Sequence, residues 1–203
     1  MTEVKDWSTY YDQVGEKPNP LVVRALEFTT KRGQALDLGC GNFRDSKFLL
    51  AQGFREVMAV DSFNGPRPPL PKGITFTGSR IEHFGMLDDY DFAVCINTLF
   101  FINKIEVSEI LRRVYDALAP GGVFVFNVLG TNDDWTKERK AGISAYQQSE
   151  IYALNGRYPH VHFESNERDG SLANGKPHHW HTYEFVVKKP MDAVVKPRFP
   201  ATL

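Results

Sequence analysis

Two glycines and an aspartate pose the first chemical question. Gly39-Cys40-Gly41 closes the short apolar run Ala35–Leu38, and Asp61 closes another, Val57–Val60. Glycine lets a backbone approach a ligand closely, because no Cβ stands in the way. Asp61 follows Gly41 by 20 residues, the spacing from which a carboxylate can hold both hydroxyls of a ribose. The outline is that of a nucleotide-binding βαβ unit. A dinucleotide fingerprint requires a third small glycine where Arg44 stands, and a P-loop requires a Gly-Lys-Ser/Thr that does not follow. A tight turn and a strand-ending aspartate in an α/β domain that binds no nucleotide also satisfy this spacing.

A second group is His178-His179-Trp180-His181. On a strand, His179 and His181 share a face, and neutral imidazoles can ligate zinc. No Cys, Asp or Glu at ligand spacing completes a set, so no metal is assigned. The plainer reading is a polar strand entry that lines a pocket. Phe100 and Phe101, after Asn97-Thr98-Leu99, are either core residues or the wall of a ligand site at a strand's carboxyl end.

These residues need elements to position them. After Pro18 and Pro20, apolar positions 21, 22, 25, 26 and 28 form a helical face closed by Gly33. Asn42–Gln52 reads as the helix between the two short strands. Ile74–Phe76 and Asp91–Ile96 are further strands. Ile105–Leu118 carries a helical stripe stopped by Pro120-Gly121-Gly122, and Val123–Leu129 is a buried strand. Tyr146–Leu154 is a helix, and His160–Glu164 and His181–Lys188 are the last strands. Alternating strands and helices predict a doubly wound parallel sheet with helices on both faces. The final two strands are joined by residues too turn-rich for a crossover helix, so they pair as a hairpin and one runs antiparallel. The segment from Lys189 is punctuated by proline and reads as a loose tail.

Composition narrows the partners. The 203 residues are 42% hydrophobic and 24% charged, with a net charge of −1. That balance gives no support for a nucleic-acid or anionic-membrane partner. No apolar run approaches the roughly 20 residues of a membrane span, and the N-terminus reads as mature protein rather than a signal. Cys40 and Cys95 are the only cysteines, which suits a reducing, cytoplasmic setting.

Asp37-Leu38-Gly39-Cys40-Gly41 resembles motif I of class I S-adenosylmethionine (AdoMet) dependent methyltransferases. Asp91-Phe92-Ala93-Val94-Cys95-Ile96-Asn97 resembles their fourth-strand motif, and Leu118-Ala119-Pro120-Gly121-Gly122 the turn before strand five. AdoMet has no pyrophosphate, which accounts for the missing third glycine. Trp7-x-x-Tyr10-Tyr11, Gly130-Thr131-Asn132-Asp133-Asp134-Trp135 and Gly175–His181 are similar to small tellurite-resistance-type bacterial methyltransferases.

The resemblance implies a Rossmann-like, mostly parallel seven-stranded sheet with one antiparallel strand near the C-terminus. It implies one domain over residues 1–190, with 1–33 as an N-terminal lid and helix and 191–203 as a tail. For cofactor binding it implies Trp7, Tyr11, Asp37, Gly39, Cys40, Gly41, Asp61, Ser62, Arg80, Ile81, Asn97 and Thr98. For a small-molecule acceptor, Phe100, Trp135, His179 and His181 are the candidates, with His181 also the candidate catalytic residue. The expected function is methyl transfer to a thiol, a chalcogen oxyanion or another small metabolite. The alternative is a non-catalytic protein that binds AdoMet or a partner on the same fold.

Two departures from the family pattern stand out. Pro66, Pro68, Pro69 and Pro71 follow Asp61 closely, so a loop replaces the usual helix. An acidic adenine contact is expected near Ser79 or Arg80, and a guanidinium cannot accept a hydrogen bond from the adenine amino group.

Overall fold

The computed structural model describes residues 15–63, 65, 69–86, 89–138 and 142–193. Trp7, Tyr10, Tyr11 and the expected lid lie outside the described residues, as do Pro66 and Pro68 of the loop and the end of the tail. Strands β1 (Gln34–Leu38), β2 (Glu56–Asp61), β3 (Ile74–Gly78), β4 (Tyr90–Cys95), β5 (Leu118–Gly130), β6 (Ala145–Tyr146), β7 (His160–Ser171) and β8 (Pro177–Lys188) make one sheet. Its order is β3-β2-β1-β4-β5-β8-β7, with the two-residue β6 added to β5. β8 runs antiparallel to β5 and β7, and the other pairings are parallel. This is the Rossmann-like, mostly parallel sheet expected from the sequence, with β6 as a short eighth strand.

Helix α1 (Pro20–Ala25) starts where the Asn19 side chain accepts the Leu21 N–H at 2.9 Å, with proline in its first turn. It buries Leu21, Val22 and Ala25 against one face of the sheet. Helix α2 (Arg44–Ala51) follows the glycine turn. Helix α3 (Lys104–Ala117) is capped by Asn103 and buries Val107, Ile110, Leu111 and Val114 on one stripe, each contributing roughly 1.5–3 kcal/mol. It packs on the opposite face, over Leu36, Leu38, Phe124 and Phe126. Two short helices, α4 (Asp134–Lys137) and α5 (Gln148–Asn155), follow β5 and β6. Among the described residues, no helix is long and apolar enough to cross a membrane, and none lies between Asp61 and Ile74.

Several elements differ from the sequence expectation. The last two strands are 12 residues each, because cross-strand pairing continues to Ser171↔Pro177 through residues whose composition suggests turns. Pro120-Gly121-Gly122 lies within β5 as a bulge, where the register shifts between Tyr90↔Leu118 and Phe92↔Val123. Helix α2 begins at Arg44 because Phe43 takes a left-handed φ of 66°.

The order places β1 beside β4, while the chain leaves β1 towards β2 and β4 towards β5. The two strands run parallel, but the direction in which the chain winds across the sheet reverses between them. In open α/β sheets, the crevice outside the carboxyl ends at such a point is where ligands bind.

Candidate active site

Gly39 and Gly41, with φ of 78° and 52°, carry the chain out of β1. The N–H groups of Gly39 and Cys40 donate to the Val60 carbonyl at 2.8 and 3.1 Å, tying the turn to β2. Thr98, after β4, fills the opposite side: a Cβ on Gly39 would overlap the Thr98 hydroxyl. The two arms of the crevice therefore meet at a point only glycine allows. Asp61, 8% exposed, accepts the Gly41 N–H at 2.9 Å through Oδ2 and the Phe63 N–H at 2.7 Å through Oδ1. These bonds fix the carboxylate at the carboxyl end of β2. Phe43 and Asn97 are non-glycine residues with φ of 66° and 53°, and such strain collects at ligand sites. Ser62 is exposed beside Asp61.

Beneath this turn lies Asp37, 3% exposed. Burial, reinforced by the negative charge of Asp45, pushes its pKa from the ordinary 3.8 up to about 7. The Ser46 hydroxyl donates to its Oδ2 at 2.5 Å. Ser46 is buried in the first turn of α2, and no local sequence signal marks this contact.

At the end of β4, the Asn97 N–H donates to Asn127 Oδ1 at 2.7 Å and Asn127 Nδ2 donates to Asn97 Oδ1 at 2.8 Å. Phe100 is buried and packs on Phe101, with ring centroids 6.1 Å apart. Phe101 lies 5.8 Å from Trp135, and Trp135 meets His178 at 5.1 Å and Trp180 at 5.6 Å. An aromatic wall thus runs from the end of β4 to the start of β8.

One carboxylate assembles that wall. Asp133, fully buried, accepts the Trp135 N–H at 3.0 Å and His178 Nε2 at 3.1 Å through Oδ1, and the His181 N–H at 3.1 Å through Oδ2. Asp134 accepts the His179 N–H at 2.7 Å. The segments Gly130–Trp135 and Gly175–His181, which the sequence singles out separately, are thereby stapled together. The Asn132 N–H donates to His181 Nδ1 at 3.1 Å, so a neutral His181 carries its proton on Nε2. The His181 imidazole lies across Gly130, where any Cβ would displace it.

The expected acceptor residues are only partly brought together. Trp135 joins Phe100 through Phe101, whereas His179 is drawn to β7, with Nδ1 2.7 Å from Asp169 and Nε2 3.1 Å from Glu167. Those carboxylates raise the His179 pKa above the ordinary histidine value. His178 and Trp180 take the place by Trp135. After β3, the Arg80 guanidinium is mostly exposed and bonded to Glu82, while Ile81 is buried. No cluster of three or more His, Cys, Asp or Glu able to hold a metal occurs among the described residues.

The sheet order, the glycine turn and the strand-ending aspartate define the class I AdoMet-dependent methyltransferase fold. A family model described as a methyltransferase domain matches residues 10–168, and the chain belongs to that family. Among solved structures it is similar to TehB from Haemophilus influenzae, with a TM-score of 0.65 and 18% identity, over 83% of this chain and 61% of that one. It thus spans less than two thirds of TehB's length. It is also similar to Burkholderia thailandensis 1,6-didemethyltoxoflavin-N1-methyltransferase, solved with 1,6-didemethyltoxoflavin and S-adenosylhomocysteine (AdoHcy), with a TM-score of 0.63, 18% identity and coverage of 90% and 84%. The N-methyltransferase NodS from Bradyrhizobium japonicum, solved with AdoHcy, aligns with a TM-score of 0.61, 16% identity and coverage of 91% and 96%. No curated protein matches the sequence.

Proposed function

We propose that the protein transfers the AdoMet methyl group to a small acceptor: a thiol, a chalcogen oxyanion or another small metabolite. The observation that carries this reading is the Gly39–Thr98 crevice at the sheet's switch point, with the Asp61 carboxylate fixed beside it. These residues fit the cofactor. The bare turn at Gly39 and Gly41 admits its methionine part, and Asp61 offers acceptor oxygens to its ribose. Cys40, Ser62, Asn97 and Thr98 border the same crevice, and Ile81 with the backbone of Arg80 would face the adenine. Trp7 and Tyr11 are proposed as the covering lid.

When bound, AdoMet supplies an already activated methyl group on a sulfonium. The chain's own work is then to place the acceptor and keep water away. The Phe100–Phe101–Trp135 wall serves both ends. His181 presents Nε2–H, a donor suited to a lone pair on the acceptor, and His179 stands at the outer rim with its carboxylate partners. A general base is required only if the acceptor carries a proton in its reactive form, and thiolates and chalcogen oxyanions do not. The structures solved with TehB, NodS and the toxoflavin enzyme share this fold, and the toxoflavin enzyme was solved with a small molecule beside AdoHcy, which supports an acceptor of that size. The domain is proposed to span residues 1–190, in the cytoplasm.

The test is AdoHcy release measured with thiols, selenite, tellurite and small amines as acceptors. Acceptor-dependent release supports the reading. Saturable AdoMet binding without turnover on any of these acceptors would favour the non-catalytic alternative.

A further inference from the structure

Asn127 is out of character with its surroundings. It sits in Val123–Leu129, where all other residues are apolar, and it is 5% exposed. A buried amide is tolerated only when bonded, and an apolar side chain would fill the same volume without that demand. Both of its amide atoms are spent on one residue, Asn97: Oδ1 accepts the backbone N–H at 2.7 Å and Nδ2 donates to the side-chain oxygen at 2.8 Å.

The location explains why Asn97 needs this support. The β4–β5 ladder stops at Cys95↔Phe126, so two residues later the Asn97 N–H has left the sheet. Asn97 also takes a left-handed φ of 53°, which a non-glycine residue holds only when its surroundings enforce it. The next residue, Thr98, turns its hydroxyl to the Ile96 carbonyl at 2.9 Å and lies flush against Gly39. Asn127 therefore holds one arm of the switch-point crevice against the other.

We propose that Asn127 is a positioning residue for AdoMet: it keeps the Asn97–Thr98 segment in the shape that receives the methionine part, without touching the cofactor itself. This rests on the assignment of the Gly39–Thr98 crevice to the cofactor. Neither bond distinguishes a sulfonium from a thioether, so losing them weakens AdoMet and AdoHcy alike.

The experiment is calorimetric titration of AdoMet and AdoHcy into the wild type, Asn127→Leu, Asn127→Ala and Val125→Ala, each with a thermal melt. Val125 is fully buried on the same strand and face, two residues earlier, and its truncation is a packing loss alone. Asn127→Leu should melt no lower than Asn127→Ala yet bind both ligands at least about tenfold more weakly than the wild type. Val125→Ala should melt lower and bind within about twofold of the wild type. Wild-type affinity in Asn127→Leu, or in Asn127→Ala should the leucine variant not fold, would overturn the proposal. So would an equal loss of affinity in Val125→Ala, because binding would then track stability. A wild type that binds neither ligand would instead overturn the cofactor assignment, and the proposal with it.

Discussion

Replacing Asp37 by asparagine should stabilise the protein, and only on the alkaline side. In the fold its carboxyl stays protonated up to about pH 7, because it is buried and faces the negative charge of Asp45. In the unfolded chain it ionises near the ordinary value of 3.8. Between those limits the folded state binds a proton that the unfolded state has released, so stability falls as pH rises from about 4 to about 7. The interval is about three pH units, each equivalent to about 1.4 kcal/mol, which sets a ceiling of about 4 kcal/mol on the cost at pH 8. Asparagine keeps an oxygen for the Ser46 hydroxyl, 2.5 Å from Oδ2 in the wild type, and carries no charge. A gain of even 2 kcal/mol raises the melting midpoint of a chain this size by about 4–8 °C. The assay is thermal unfolding of wild type and Asp37→Asn from pH 4.5 to 8, read as the difference between the two curves. That difference should be small at the acid end and grow until about pH 7. A difference independent of pH, or an asparagine variant less stable at pH 8, would refute a protonated Asp37.

Two further outcomes follow from the same geometry. Gly39→Ala places a Cβ on a residue with φ of 78° and against the Thr98 hydroxyl, so AdoMet binding should fall at least about tenfold. Adding Thr98→Ala should restore part of the thermal stability, because it removes the overlap but not the backbone strain. Asp133→Ala leaves the Trp135 N–H, the His181 N–H and His178 Nε2 without their common acceptor. At about 1–3 kcal/mol for each buried donor left unpaired, urea unfolding should show a loss of roughly 3 kcal/mol or more. Asp134→Ala, which releases the single His179 N–H, should lose about 1 kcal/mol or less.

The parts of the site legible in the sequence are those carried by local chemistry. The glycine turn, the aspartate ending β2 and the hairpin that makes β8 antiparallel each leave a mark within a few residues. Asn127 and Asp133 do not show their roles in this way, because the Asn97 partner of the first and the His178 and His181 partners of the second lie 30 residues away or more. An asparagine in an apolar strand was the visible trace of the first. The Asn-Asp-Asp run of Gly130–Trp135 reads in the sequence only as a family likeness, although its carboxylates organise the start of β8. Strand alternation groups His179 with His181, because alternate residues share a face. Its carboxylate partners depend on β7 extending to Ser171, which sets Asp169 opposite His179. Strand propagation through turn-forming residues is a tertiary effect, stabilised by the cross-strand partner rather than by local preference.

The most direct test of AdoMet binding at the switch-point crevice is calorimetric titration of the protein and its Asp61→Ala variant with AdoMet. Saturable one-to-one binding by the wild type, weakened at least about tenfold in a folded Asp61→Ala, is the predicted result, since charge-assisted bonds to the ribose contribute roughly 1.5–3 kcal/mol. Binding of equal strength in the two proteins would contradict the placement of the cofactor, and no binding by the wild type would contradict the site altogether.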